Sequence, residues 1–314
     1  IPLGPQLASL AHAPHVVVGT PGRVLELVQK DALDLGKVRT LVLDEADRML
    51  DMGFDEAIRA LVKRTPKDRQ TLLFSATFPD TIRTLAKAML REPLEVSVDG
   101  GAQPTAIRAH FFDADAARRA PQLAALLLQF KPESTVVFCN MRRDTEEVAG
   151  SLAHYGFTAL ALHGDMEQRD RDEVLVRFAN RSCSVLVASD VAARGLDIDD
   201  IGAVVNYELP TDADTYLHRV GRTGRAGRNG LALSLVAHNE RGRAALIEER
   251  QGNAIHYEHI APLGAPPRGV PQAAMVTLRI DAGRTDKLRP GDIVGALTGD
   301  AGGLSKDAIG KIDV

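Results

Sequence analysis

Short β-branched apolar runs recur along this chain, and helix-like sequence fills the intervals between them. They are HVVVG (15–19), TLVLD (40–44), TLLFS (71–75), STVVFC (134–139), TALALH (158–163), SVLVAS (184–189), AVVNY (203–207) and LALSLV (231–236). Uninterrupted apolar strands separated by amphipathic helices require parallel sheets covered on both faces. The expected class is therefore α/β, and 314 residues suffice for two domains of ordinary size.

Breaks in the alternation divide the chain. SVDGGAQPTA (97–106) carries Gly and Pro between two blocks, and IAPLGAPPRGVPQAA (260–274) has the composition of a semi-extended linker. The expected organisation is a first domain over 1–98, a linker over 99–106, a second domain over 107–258, a Pro/Gly linker over 259–273 and the start of a third domain over 274–314. The last stretch reads as a strand, a short helix beginning after Arg284, and a second strand or helix. About forty residues are too few for an independent core.

No run of some eighteen apolar residues and no basic region followed by an apolar stretch occurs, so neither a membrane span nor a signal peptide is expected. The expectation is a cytoplasmic, monomeric protein. Cys139 and Cys183 each lie inside an apolar run with no second Cys or His at ligand spacing, and they read as small core residues. With 38 Lys plus Arg against 42 Asp plus Glu, the net charge is −4. Any nucleic-acid surface must then be local.

Ligands of open parallel sheets bind beyond the carboxyl ends of the strands, so the residues just after each apolar run carry the chemistry. After HVVV comes Gly19-Thr20-Pro21-Gly22-Arg23; after TLVL, Asp44-Glu45-Ala46-Asp47; after TLLF, Ser75-Ala76-Thr77; after SVLV, Ser189-Asp190 and then VAARGLDI. YLHRVGRTGRAGRNG (216–230) closes the second block. Taken singly, each has an ordinary explanation. Acids favour a helix N-terminus, SAT can cap a helix, TPGR can be a turn with Pro at the helix start, and the Gly–Arg run can be a basic loop. The crowded carboxylates at 44–47 nevertheless ask for a partner, because like charges beside a sheet must be hydrated, paired or bound to a cation.

The order TPGR, DEAD, SAT, ARGLD, HRVGRTGR, each beyond a strand, resembles the DEAD-box family of ATP-dependent RNA helicases over about residues 15–245. MVTLRIDAGRTDKLRPGDIVGALTGDAGG looks like the start of the RNA-recognition-motif-like domain of DbpA-type bacterial members. The resemblance implies two RecA-like parallel-sheet domains, the first represented in part, followed by the start of a small RRM-like α/β domain. It implies ATP and Mg²⁺ as cofactors and RNA as partner, with ribosomal RNA of the large subunit the expected target.

Matching positions carry the family's roles. Asp44 would hold Mg²⁺ through its water shell and Glu45 would orient or deprotonate the attacking water. Asp47 would accept hydrogen bonds from Ser75, Thr77 or the facing domain, coupling hydrolysis to RNA, with His218 linking back to these carboxylates. Arg222 and Arg225 would be arginine fingers toward the γ-phosphate. His218, Arg222 and Arg225 stand at i, i+4 and i+7, so one helical face would aim all three, although Gly221 and Gly224 weaken that helix. Gly195 and Asp197 match nucleotide-contacting positions. Thr20, Pro21, Gly22 and Arg23, with Gly164, Gln168, Arg171, Ser189 and Arg194, match positions that grip the RNA backbone. Capping and turn formation are their ordinary alternative.

A phosphate-cradling G-x-x-x-x-G-K-[ST] loop should precede these motifs and does not occur; IGKI (309–312) matches by chance. The chain opens on Ile1, already close to TPGR, so the reading expects a helicase without about half of its first domain. A helicase parent is one hypothesis, with these residues alone expected to be inactive. An RNA-binding module that never hydrolyses ATP is the other. A DNA-directed relative would keep similar chemistry but depart from the DEAD and SAT pair.

Overall fold

The computed structural model describes residues 3–75, 77–97, 107–193, 201–224, 229–263, 269–300 and 302–312. The chain divides into two compact units, Ile1–Val98 and Asp99–Val314. In the first, α1 (Leu3–Leu10) and α2 (Pro21–Gln29) precede β1 (Thr40–Leu43), α3 (Ala46–Asp51), α4 (Asp55–Lys63), β2 (Gln70–Leu73) and α5 (Asp80–Met89). β1 and β2 pair in parallel, in register from Thr40–Gln70 to Leu43–Leu73. Parallel neighbours need a long crossover, which α3 and α4 supply. Ile58 of α4 with Leu85 and Met89 of α5 closes a small core over Leu43.

The run 15–19, expected as a strand, does not form one: Val16 and Val18 are 77% and 93% exposed. β-branched residues suit a pleated surface, but a strand exists only through a ladder. Among the described residues the first unit's sheet holds β1 and β2 alone.

The second unit follows the apolar runs closely. Its elements are β3 (Ile107–Ala114), α6 (Arg119–Phe130), β4 (Thr135–Cys139), α7 (Arg142–His154), β5 (Ala159–Leu162), α8 (Gln168–Ala179), β6 (Val185–Ser189), α9 (Asp190–Ala193), β7 (Ala203–Asn206), α10 (Ala213–Val220), β8 (Gly230–Ala237), α11 (Arg241–Gln251) and β9 (Tyr257–Glu258). The strands make one parallel sheet in the order β5-β6-β4-β7-β8-β3-β9. Every residue of β4, β6, β7 and β8 is buried, which is why these strands read as continuous apolar runs. Neighbours along a strand serve opposite faces: Val137 packs with Leu123, Leu127 and Leu152, whereas Val136 packs with Leu162, Phe178 and Leu186. From β4 the chain crosses to β5 on one side, and from β7 to β8 on the other. The β4–β7 boundary is thus the topological switch point.

β3 and β9 were not legible as strands. In β3 only Phe111 and Phe112 are buried, and β9 has two residues, so neither shows a continuous run. In the tail, the expected strand over 275–280 is absent, and Val276 and Leu278 stay 83% and 68% exposed. Met275 N–H reaches Arg181 O at 3.3 Å, a single bond where a ladder would need several. A short turn at Arg284–Asp286 and α12 (Pro290–Thr298) follow.

Gly224 and Gly230 bring two backbones together. Gly224 has φ +73, and a Cβ on Gly230 would lie 2.9 Å from the Gly224 nitrogen. Gly230→Ala is expected to lower stability by roughly 2 kcal/mol, because backbone cannot move aside as a side-chain tip can. Thermal melts of wild type and variant check this, and equal midpoints would contradict the close approach.

Candidate functional site

The parallel pairing of β1 and β2 sets the two acidic and hydroxyl turns side by side. Phe74 N–H donates to Leu43 O at 2.8 Å, and Ala46 N–H returns to Phe74 O at 3.0 Å. Asp47, 5% exposed, accepts from the Thr77 amide (2.9 Å) and the Thr77 hydroxyl (2.8 Å) on Oδ2, and from the Arg48 amide (2.9 Å) on Oδ1. Ser75 stands the other way round from one expectation: its Oγ accepts from the Asp47 amide at 3.2 Å and donates to Thr77 O at 2.7 Å. Burial on its own would raise the Asp47 carboxyl, but the bonds from Thr77 and Arg48 outweigh it and hold the group below the ordinary 3.8.

Asp44 and Glu45 face solvent beside this closed network. Asp44 Oδ1 accepts the Glu45 amide at 2.9 Å. Glu45 sits at φ 50, ψ 49, a left-handed conformation that a non-glycine residue adopts at a cost. Arg48 lies 3.8 Å from its carboxylate. In the same unit Thr20 precedes α2 and makes no side-chain cap bond, Pro21 occupies the first turn, and Arg23 pairs with Glu26 at 3.3 Å. Gly22 leaves room at Phe54, 3.5 Å from where a Cβ would stand.

In the second unit the named residues lie beyond carboxyl strand ends. Gly164 follows β5, and a Cβ there would touch nothing, so packing does not demand glycine. Gln168 opens α8 and donates to Asp172 at 2.7 Å, while the Nε of Arg171 is buried without a hydrogen-bond partner. Ser189 ends β6, 7% exposed. His218 lies in the last turn of α10. The helix stops at Val220, so the expectation that Arg222 continues its face is corrected: Gly221 ends it, and Thr223 is drawn off by a 2.6 Å bond from its hydroxyl to Ile201 O. Arg194, Gly195, Asp197 and Arg225 lie outside the described residues.

Sequence reasoning passed over Arg219, between His218 and Val220. It is 2% exposed and every donor of its guanidinium is used. Nε and Nη2 grip Asp190 at 2.7 Å each, Nη1 donates to Asn206 Oδ1 (3.1 Å) and Glu208 O (2.9 Å), and Nη2 also reaches Asn140 Oδ1 (2.7 Å). One side chain thereby ties the carboxyl ends of β4, β6 and β7, at the switch point. Arg119 and Glu240 form a second buried pair, with Glu240 also accepting the Ala237 amide at 2.9 Å. Cys139 and Cys183 are buried free thiols, and burial pushes Cys183 up to about 11. Among the described residues no helix is long and apolar enough to cross a membrane.

Comparison with known proteins gives the class, a DEAD-box helicase. The families described as DEAD/DEAH box helicase, helicase conserved C-terminal domain and DbpA RNA binding domain match residues 2–85, 119–227 and 277–314. The ATP-dependent RNA helicase DbpA of Escherichia coli is 47% identical over 313 residues, 100% of this chain and 68% of that protein. The DEAD-box ATP-dependent RNA helicase CshA of Geobacillus kaustophilus is 42% identical over 77% of this chain and 52% of its own length. The structure of S. cerevisiae Dbp5 bound to RNA and ADP BeF3 is 34% identical, with a TM-score of 0.68 over 78% of this chain and 65% of that one. The chain belongs to the DEAD-box family of RNA helicases, and within it to the DbpA type. It spans about half of the CshA relative's length and about two thirds of the DbpA relative's.

Because the folded-state value of Asp47 is depressed, its ionised form stabilises the unit above the ordinary carboxyl range, and that contribution is lost as pH falls through the lower folded value. Asp47→Asn is expected to flatten the acid limb of stability below about pH 4. Melting temperatures from pH 5 to pH 2 test it, an unchanged limb counting against the network. Arg219→Lys is expected to cost roughly 2 kcal/mol or more, since an ammonium with three donors cannot meet the five contacts and leaves buried acceptors unmatched. Urea denaturation reads this directly, and an unmoved midpoint would refute it.

Proposed function

We propose that this protein uses ATP hydrolysis, triggered by RNA, to open short RNA duplexes locally. The observation that carries the reading is the division of labour in 44–47: Asp47 is consumed by Thr77 and Arg48, while Asp44 and Glu45 stay exposed at the strand end. Two exposed carboxylates fit Mg²⁺ held through water together with nucleotide phosphates. The ion, when bound, neutralises phosphate charge.

The chain's own residues do the rest. Asp44 binds the hydrated cation and Glu45 holds the attacking water. Arg222 and Arg225 place positive charge where the leaving phosphate gains it, and Gly195 and Asp197 contact the nucleotide. Asp47, Ser75, Thr77 and His218 couple these events to RNA. The RNA backbone is taken by Thr20, Pro21, Gly22 and Arg23, and by Gly164, Gln168, Arg171, Ser189 and Arg194. The open space at Gly164 and the unpartnered Arg171 Nε support that assignment. The DbpA-type tail supports ribosomal RNA of the large subunit as the target and subunit assembly as the setting.

These residues hold no phosphate-cradling loop, so on their own they are expected to hydrolyse ATP negligibly. The second reading is an RNA-binding module without ATPase activity. ATP turnover by the full-length protein, with and without ribosomal RNA fragments, separates the two: stimulation supports the helicase, whereas no turnover, or turnover indifferent to RNA, overturns it. Glu45→Gln should cut the stimulated rate by roughly 10²–10⁴-fold with RNA affinity retained, and an unchanged rate would remove Glu45 from the chemistry.

A further inference from the structure

Beyond the second unit's sheet, residues 272–280 return along α8 and enclose with it a cavity of about 650 Å³. Arg169, Glu173, Val176 and Arg177 form one wall, a single face of the helix. The tail segment forms the other and is fastened at several points. Met275 N–H donates to Arg181 O at 3.3 Å, Gln272 Nε2 donates to Gly156 O at 3.3 Å, and the Thr277 and Ser182 hydroxyls bond each other.

The charges in this groove do not cancel. Arg279 meets Glu173 at 3.4 Å, whereas the guanidinium groups of Arg169 and Arg177 have neither ion pair nor hydrogen bond among the described residues. Eight residues of helix separate the two by about 12 Å along the axis, enough for more than one phosphate of an extended strand. Hydroxyls of Thr158 and Ser182 and the carbons of Val176 and Met275 line the space between. Such a surface suits a flexible polyanion with sequence-independent contacts.

We propose that this groove binds the phosphodiester backbone of RNA, with the tail as one of its walls. The inference rests on the RNA-binding reading above, because Gln168 and Arg171 lie in the first turn of the same helix and Arg169 stands between them. Gln168 stands about 100° around the helix from Arg169, whereas Arg171 lies on the far side with Val174 and Phe178, so a strand held at Gln168 runs on to Arg169 and the groove. RNA is favoured over an acidic peptide by this continuity.

The test measures binding of a fluorescent single-stranded RNA to the full chain by anisotropy across a salt series, for wild type and for Arg169→Gln/Arg177→Gln. Both positions are on a helix surface, and a circular dichroism melt confirms the fold. The double variant should bind roughly tenfold more weakly at low salt, and the slope of log affinity against log salt should become shallower by about 1.4, two phosphates' worth on a single strand. Arg169→Lys/Arg177→Lys should restore the slope. Wild-type RNA binding with an identical variant slope overturns the groove and leaves the RNA reading standing. No RNA binding by wild type overturns that reading and this inference with it. Loss of poly-glutamate binding in the variant, with RNA binding unchanged, overturns the proposal in favour of a protein ligand.

Discussion

Every donor of the buried Arg219 guanidinium is met, and the carboxyl ends of three strands of the second unit converge to meet it. Arg219 draws Asp190, Asn206, Asn140 and the Glu208 carbonyl to one point. These groups come from the ends of three different strands, so a slip of one strand by a single residue would leave a charge unpaired in the interior. The ring of Phe138 lies 5.2 Å beneath and fills the remaining side. The residues expected to face ligand, Ser189 before Asp190 and His218 before Arg219, are each one peptide from this anchor. Their placement follows from the electrostatics of the neighbour.

Much of the fold could be read because parallel strands buried on both faces leave an unmistakable trace. STVVFC, SVLVAS and AVVNY are such traces, and each coincides with a strand. The reading faltered where that logic weakens. HVVVG has the composition but no ladder, and β3 has the ladder but only two buried residues. Arg219 was passed over because charge usually signals surface, and nothing local marks it as interior. The Arg119–Glu240 pair joins residues 121 positions apart, and no window of sequence contains both.

The acidic turn shows the same limit at closer range. Its three acids are alike in the string DEAD, yet their surroundings separate them. Asp47 becomes a structural acceptor closed off by Thr77, and Asp44 and Glu45 remain available. The partner that the crowding demanded is in part the protein itself. Which carboxylate it would claim depended on the register of β1 against β2, a tertiary fact.

The left-handed backbone at Glu45 has a mechanical implication. A glutamate there is held roughly 1 kcal/mol or more above its relaxed conformation, and the restraint comes from both sides: Ala46 N–H on Phe74 O, and Met49 N–H on Glu45 O at 3.0 Å. The turn therefore behaves as a bent spring clamped by the neighbouring strand and the helix that follows. Loosening β2 would let the spring relax and swing the carboxylate away, so the aim of this side chain reports on the integrity of a strand that it never touches.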